Sequence, residues 1–258
     1  MPFVDAVTET WTIPWSEVGF RPAAPDALAV GPDLLAAGAD GRVIFYDPVA
    51  RELVTLQDGQ ITARELTDRL DDLFEAPDGS LLTVDHMSRR LERHDGRRVE
   101  ELALPRLAPS HGALDLGEDG AILLRDVFGN GHVVGVLDRS GLVEAPAGRL
   151  RPPDCPVTWA APRLLACGHP YLLPGTAKAA GRIVENGGVR WLVVEELVGE
   201  GPIAVRRWAV ALNRGTRVDL PLGDRRYAPT DDLAVDADGR LVVMAPLASG
   251  LRFTRVSP

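Results

Sequence analysis

Carboxylates and imidazoles recur in short clusters along this 258-residue chain. Asp71 with Asp72, Asp85 with His86, His111, Asp126, Glu195 with Glu196, and Asp231 with Asp232 are the groups whose types could do chemistry. Converging carboxylates with one or two imidazoles can hold Ca²⁺ or Mg²⁺, hard cations that take oxygen donors. They could equally bind a cationic ligand or peptide. Asp72, Asp85, His86, His111, Asp126, Glu196 and Asp232 are therefore the candidate ligand or metal residues. A plainer reading competes: Asp is common in turns because its side chain bonds nearby backbone N–H groups. Other chemistries are poorly supplied. The remaining histidines, His94, His132 and His169, make no metal-binding helix spacing with His86 or His111. No Gly-x-Ser-x-Gly elbow is present, and no glycine loop that could cradle phosphate precedes a helix. Asp236-Ala237-Asp238-Gly239 lacks the further ligands of a calcium loop and reads as a hairpin turn.

The elements that must position these groups repeat. In Asp232-Leu233-Ala234-Val235-Asp236, alternation marks a strand with one face more buried. Asp238-Gly239 follows, a pair suited to a two-residue hairpin turn with positive φ at both positions. Leu241-Val242-Val243-Met244 then runs apolar, as a strand covered on both faces would. Copies occur at Asp72 to Val84, with Asp78-Gly79 as turn, and at Ala113 to Leu124, with Asp119-Gly120. A looser copy is Ala27 to Val30, a Gly31-Pro32-Asp33 turn, and Leu34 to Ala37. Asp33 to Asp78 is 45 positions, Asp78 to Asp119 is 41, and Asp119 to Asp238 is 119, close to three periods. Roughly 40 residues is one four-stranded propeller blade. The expectation is an all-β chain, a single β-propeller of six four-stranded blades over residues 1–258, or five blades and an insertion. In such a ring the acidic clusters fall on one rim as a collar.

Along the chain, Val7 to Ile13 alternates cleanly and belongs to no blade of its own. It is expected to pair in the last blade beside Leu251 to Val256, closing the ring and covering its open edges. Blade one is expected over Ala27 to Leu56, with a helical turn after it at Ala63 to Leu70. Blade two runs to Leu104, and blade three from about 112 to 145. Between 146 and 181 the pattern degrades. Val157 to Ala160 and Arg163 to Cys167 make half a blade, and His169 to Lys178 reads as a long loop. Arg182 to Leu220 is blade five. Trp159 and Tyr171 in the irregular stretch are the candidate partner-binding residues, because aromatic anchors dominate interface energetics.

Composition narrows the classes. A net charge of −9 disfavours sequence-independent nucleic-acid binding. No apolar run approaches a membrane span, and Met1-Pro2-Phe3-Val4-Asp5 has neither a basic segment nor an apolar core, so no signal peptide is expected. The expected location is cytoplasmic, with Cys155 and Cys167 as free thiols. Lys178 is the single lysine among 28 basic residues, which with abundant Ala, Gly and Pro suggests a GC-rich bacterial genome.

The recurring inner strand, Asp-Gly turn and apolar second strand resemble the bacterial propellers built on repeats of the NHL and YVTN kind. That resemblance implies the fold and no particular activity. Gly199-Glu200-Gly201-Pro202 resembles the Gly-Glu-Gly-Pro segment of gluconolactonase-like, metal-dependent propeller hydrolases, where the Glu is a metal ligand. There it enters a first inner strand; here it links two later ones. The chain has just three asparagines, the residue type that supplies other ligands in that family. The reading is a non-enzymatic propeller that binds a protein partner as a scaffold or subunit, with no cofactor. The alternative is a Ca²⁺- or Mg²⁺-dependent hydrolase or lactonase at the acidic collar.

Overall fold

The computed structural model describes residues 4–5, 7–20, 29–38, 40–66, 69–117, 119–126, 129–145, 149–198, 204–223, 229 and 231–258. Every regular element among them is a strand. In chain order these are β1 (Val4–Asp5), β2 (Thr8–Pro14), β3 (Leu35–Ala37), β4 (Val43–Asp47), β5 (Glu52–Gln57), β6 (Gln60–Glu65), β7 (Asp72–Glu75) and β8 (Leu81–Asp85). Then follow β9 (Arg90–His94), β10 (Val99–Ala103), β11 (Ala113–Leu116), β12 (Ala121–Arg125), β13 (Gly131–Asp138), β14 (Gly141–Val143), β15 (Leu150–Arg151), β16 (Val157–Ala160) and β17 (Arg163–Ala166). The last are β18 (His169–Leu172), β19 (Thr176–Asn186), β20 (Val189–Val198), β21 (Ala204–Ala211), β22 (Thr216–Asp219), β23 (Leu233–Val235), β24 (Leu241–Leu247) and β25 (Gly250–Val256). They form two compact units, Pro32–Pro153 and Met1–Gly31 with Asp154–Pro258.

The first unit holds the sheets β3-β4-β5-β6, β7-β8-β9-β10 and β11-β12-β13-β14, with β15 beside β13. First strands lie next to first strands: β7 packs beside β3 on one side and β11 on the other. The side chains of β8 explain its apolar run. Leu82 and Val84 point into a cluster with Leu114, Ile122 and Leu124. Leu81 points the other way, toward Leu73, Ile44 and Tyr46. A strand buried on both faces has no polar face to show, and each such side chain contributes about 2 kcal/mol.

The Asp-Gly turns differ from the two-residue expectation. Gly79 donates its N–H to Ala76 O, and Ala76 N–H donates to Ser80 O. The same pair of bonds recurs at Gly41, Gly120 and Gly239. These are type I turns closed by a glycine bulge. Gly79 and Gly239 take φ of 80° and 78°, while Asp78 and Asp238 stay at negative φ. The Asp instead holds the loop with its side chain: Asp78 Oδ1 accepts from Ser80 N at 2.9 Å. Asp40-Gly41 shares this register, so the frame of blade one is corrected by one strand. Leu35–Ala37 is its first strand and Gln60–Glu65 its fourth. Ala63 to Glu65 are strand, against the helical turn expected there, while Ala27 and Leu28 lie outside the described residues.

The second unit holds the sheets β1-β22-β21-β20-β19, β16-β17-β18 and β2-β25-β24-β23. Again first strands adjoin, β19 between β16 and β23. On β20, Val189, Trp191 and Val193 face Leu233, Leu241 and Val243. Leu192 and Val194 face Leu164 and Ala166. Trp191 Nε1 donates to Gly239 O at 2.9 Å, and Asn186 Nδ2 donates to Val235 O at 3.0 Å. As expected, β2 pairs antiparallel with β25 from Thr8↔Val256 to Pro14↔Gly250. Trp11 stacks on Phe253 at 5.8 Å, and Ile13 is buried. Val4–Asp5 adds a parallel pair with β22 that the sequence did not indicate.

Two further expectations are corrected in this unit. His169–Leu172 is a strand, not a loop, and β19 already begins at Thr176. Pro170 hid β18, yet proline is tolerated on a sheet edge, where no partner needs its N–H. Cys155 and Cys167 are not free thiols but a disulfide, with Cα atoms 4.3 Å apart. The pairing Val157↔Ala166 and the bond from Cys167 N to Pro156 O bring the two cysteines side by side at the open end of the β16–β17 hairpin. Two cysteines alone could not reveal that register.

Candidate functional site

Most of the acidic residues sit where first strands begin and second strands end, positions that need turn-forming residues, whereas Glu195 and Glu196 lie within the ladder of β20. In the unit of residues 32–153, Asp72 opens β7 and is buried, and its Oδ2 accepts from Leu114 N, the next sheet's first strand, at 2.5 Å. Asp85 ends β8. Its Oδ1 accepts from Met87 N at 2.8 Å and Ser88 N at 3.1 Å, and its Oδ2 accepts from Ser88 Oγ at 2.6 Å. Burial opposes ionisation there, but the Ser88 hydroxyl and these amides outweigh it and hold the Asp85 carboxyl below its usual range. Asp126 accepts from Asn130 N at 3.0 Å and from Asn130 Nδ2 at 3.0 Å, with His132 Nε2 at 3.4 Å.

The two imidazoles do meet. The His86 and His111 rings are 5.9 Å apart, edge to face. His86 N donates to Asp71 Oδ2 at 2.7 Å, and its Nε2 lies 3.3 Å from Gly112 O. In this unit, then, the structure brings His86 to His111, as a shared rim would, but gives each of these carboxylates a separate backbone or side-chain donor.

In the other unit, Glu196 is 5% exposed on β20. Its Oε2 accepts from Thr176 Oγ1 at 2.5 Å and its Oε1 from Trp208 Nε1 at 3.2 Å. A bulge at Thr176 to Lys178 opens the register that lets Thr176 reach it. Asp232 is clamped by the Arg207 guanidinium, which bonds both its oxygens, and Arg182 Nη2 lies 3.3 Å from Oδ1. Beside it, burial and the neighbouring charge of Asp232 push the Asp231 carboxyl above its usual range, against the pull of Arg182. Arg207, buried on β21, is the functional-looking residue that sequence reading missed. Its sole signal is an Arg inside a run that alternates into the core.

Trp159 and Tyr171 face inward, packed against the cluster of Leu164, Leu192 and Trp208, with Tyr171 6.3 Å from the Trp208 ring. The opposite face of that sheet shows Leu165 (37% exposed) and Leu172 (65%), with Pro170 exposed beside Leu165's register position. Strand period two puts them there: they are the residues that alternate with Leu164 and Tyr171. Among the described residues no group of three or more His, Cys, Asp or Glu is arranged to hold a metal ion. Gly199 to Pro202 lies outside the described residues. No described helix is long and apolar enough to cross a membrane.

No family model matches the chain, and no curated protein matches it. Solved structures do. One described as a streptogramin B lyase is 15% identical over 98% of each chain, with a TM-score of 0.52. A catalytically inactive virginiamycin B lyase from Staphylococcus aureus with quinupristin is 12% identical over 97% of this chain and 100% of that one, also at 0.52. A selenomethionine-substituted virginiamycin B lyase from the same bacterium is 12% identical over 98% and 100%, at 0.50. At these identities the likeness shows fold alone: this is an all-β chain of the propeller class.

Proposed function

We propose that the chain is a non-enzymatic, protein-binding propeller that serves as a scaffold or a subunit of a larger assembly. In this reading its six sheets are six blades of one domain, the last blade completed by β2. The forty-residue recurrence and the β2–β25 pairing support that count. The observation that carries the function is where the candidate collar's carboxylate oxygens are engaged. The carboxylates of Asp72, Asp85, Asp126, Glu196 and Asp232 all accept hydrogen bonds from the chain itself. Groups satisfied in this way shape turns and join sheets. They leave the exposed apolar pair Leu165 and Leu172 as the better footing for a partner, since burying them on contact is favourable.

The test compares the wild type with a Leu165→Asp, Leu172→Asp variant in affinity capture from the native host. A protein retained by the wild type and lost with the variant, at unchanged melting temperature, supports the reading. A partner held equally by both removes this face from it. Hydrolysis of a lactone panel by purified protein supplied with Ca²⁺ or Mg²⁺ would replace it with the hydrolase alternative.

A further inference from the structure

Three observations meet on the sheet β16-β17-β18. Among the described residues it is the thinnest sheet: three strands of four residues, within which Leu164 and Ala166 are the buried side chains. In β24, by contrast, six of seven residues are buried. Second, the Cys155–Cys167 bond ties the open end of its hairpin, and Cys155 is buried beneath it. Third, Cys167 and Gly168 are the two residues between the Ala166↔His169 pair, at φ of 50° and 77°. That is the mirror-image two-residue turn, whose first position ordinarily belongs to Asn, Asp or Gly. A cysteine held at positive φ carries a steric cost. Cys167 is half-buried and outside the hydrophobic clusters, so apart from the bond of its N–H to Pro156 O and the closing Ala166↔His169 pair, the sulfur–sulfur bond is what holds it there.

We propose that Cys155–Cys167 is a reversible redox lock on this sheet: ordered as the disulfide, frayed as the dithiol. A thiolate of an external dithiol attacks the sulfur of Cys167, the less buried of the two. The Sγ–Sγ bond breaks, and Cys155 leaves as a thiolate that takes up a proton. The second thiolate of the reductant then displaces Cys167 and closes the reductant's own disulfide. One dithiol is oxidised, and two electrons with two protons enter the protein. In a reducing cytosol the lock opens, and in an oxidising compartment it stays shut. Opening releases the turn at Cys167, and with few buried contacts to hold it the sheet exchanges with locally unfolded forms. Its inward face covers Trp208, Leu192 and Val194, so fraying wets that cluster.

The experiment uses the full chain purified without reductant. Alkylation of the unfolded protein should modify no cysteine before dithiothreitol and two after it. Hydrogen exchange should then quicken at least ten-fold in residues 157–172 on reduction. Residues 241–247 should be unchanged, and reoxidation should restore protection. Free thiols in the air-purified protein, or equal protection in both states, would overturn the proposal. A Cys155→Ser, Cys167→Asn variant, with a residue suited to the turn, should show exchange that ignores dithiothreitol. A response to dithiothreitol in that variant would also overturn it, because no lock remains. These readouts are independent of partner capture, so the lock and the binding reading can fail separately.

Discussion

Glycine at a positive φ is not one thing, and two positions separate its causes. Gly239 lies at φ 78°, and a Cβ there would fall 2.2 Å from Val189 Cγ2. Gly96 lies at φ 85° with nothing within 4 Å. Gly96→Ala meets the backbone cost alone, about 1 kcal/mol. Gly239→Ala adds overpacking against Val189, and about 3 kcal/mol in total is expected. Urea unfolding of both variants checks this, and equal losses would mean that the turn does not seat on β20. The carboxylates divide in the same manner. Asp232→Asn leaves the Arg207 cation buried without its bidentate partner, and about 3 kcal/mol should be lost. Asp85→Asn keeps an acceptor for Met87 and Ser88, and less than about 1 kcal/mol should change. If Asp85 were instead a ligand-binding group, the Asn variant would keep its stability and lose a ligand.

At the scale of elements, legibility followed locality. The turns at Asp78, Asp119 and Asp238 were readable because their hydrogen bonds close within four residues. Asp40-Gly41 has the same chemistry, but Gly31-Pro32-Asp33 competes with it in the sequence, and composition alone does not say which one seats in a sheet. The disulfide and the strand β18 were missed because each depends on a hairpin register that short alternating segments do not fix. The pairing of β2 with β25 was legible for the opposite reason: a strongly alternating strand with no blade of its own has few places to go. Deleting residues 1–14 removes that pairing, uncovers Phe253 and exposes the edge of β25. The truncated protein should aggregate or melt far below the full chain. Unchanged melting temperature and monomeric elution would show that β25 does not need its partner.

Across the whole molecule, fold was legible and site was not, and the same physics explains both. A repeat announces itself about every forty residues, whereas the partners of two of the candidate carboxylates, Asp72 and Asp232, come from far along the chain. Asp72 bonds the amide of Leu114, 42 positions away, and Asp232 bonds the side chain of Arg207, 25 away. Nothing near Asp72 or Asp232 in sequence says that the carboxylate is already spoken for. The burial pattern nonetheless orders the sheets by stability. β8 and β24 are buried on both faces, and β20 along most of its length. β6 and β18 expose nearly every residue. Local opening free energy follows buried apolar contact, so amide exchange at neutral pH should be slowest in β8, β20 and β24. It should be faster in β6, and in β18 even with the disulfide intact. Uniform protection across all of these strands would mean that the chain opens only globally, and that a thin sheet here is as firmly held as a thick one.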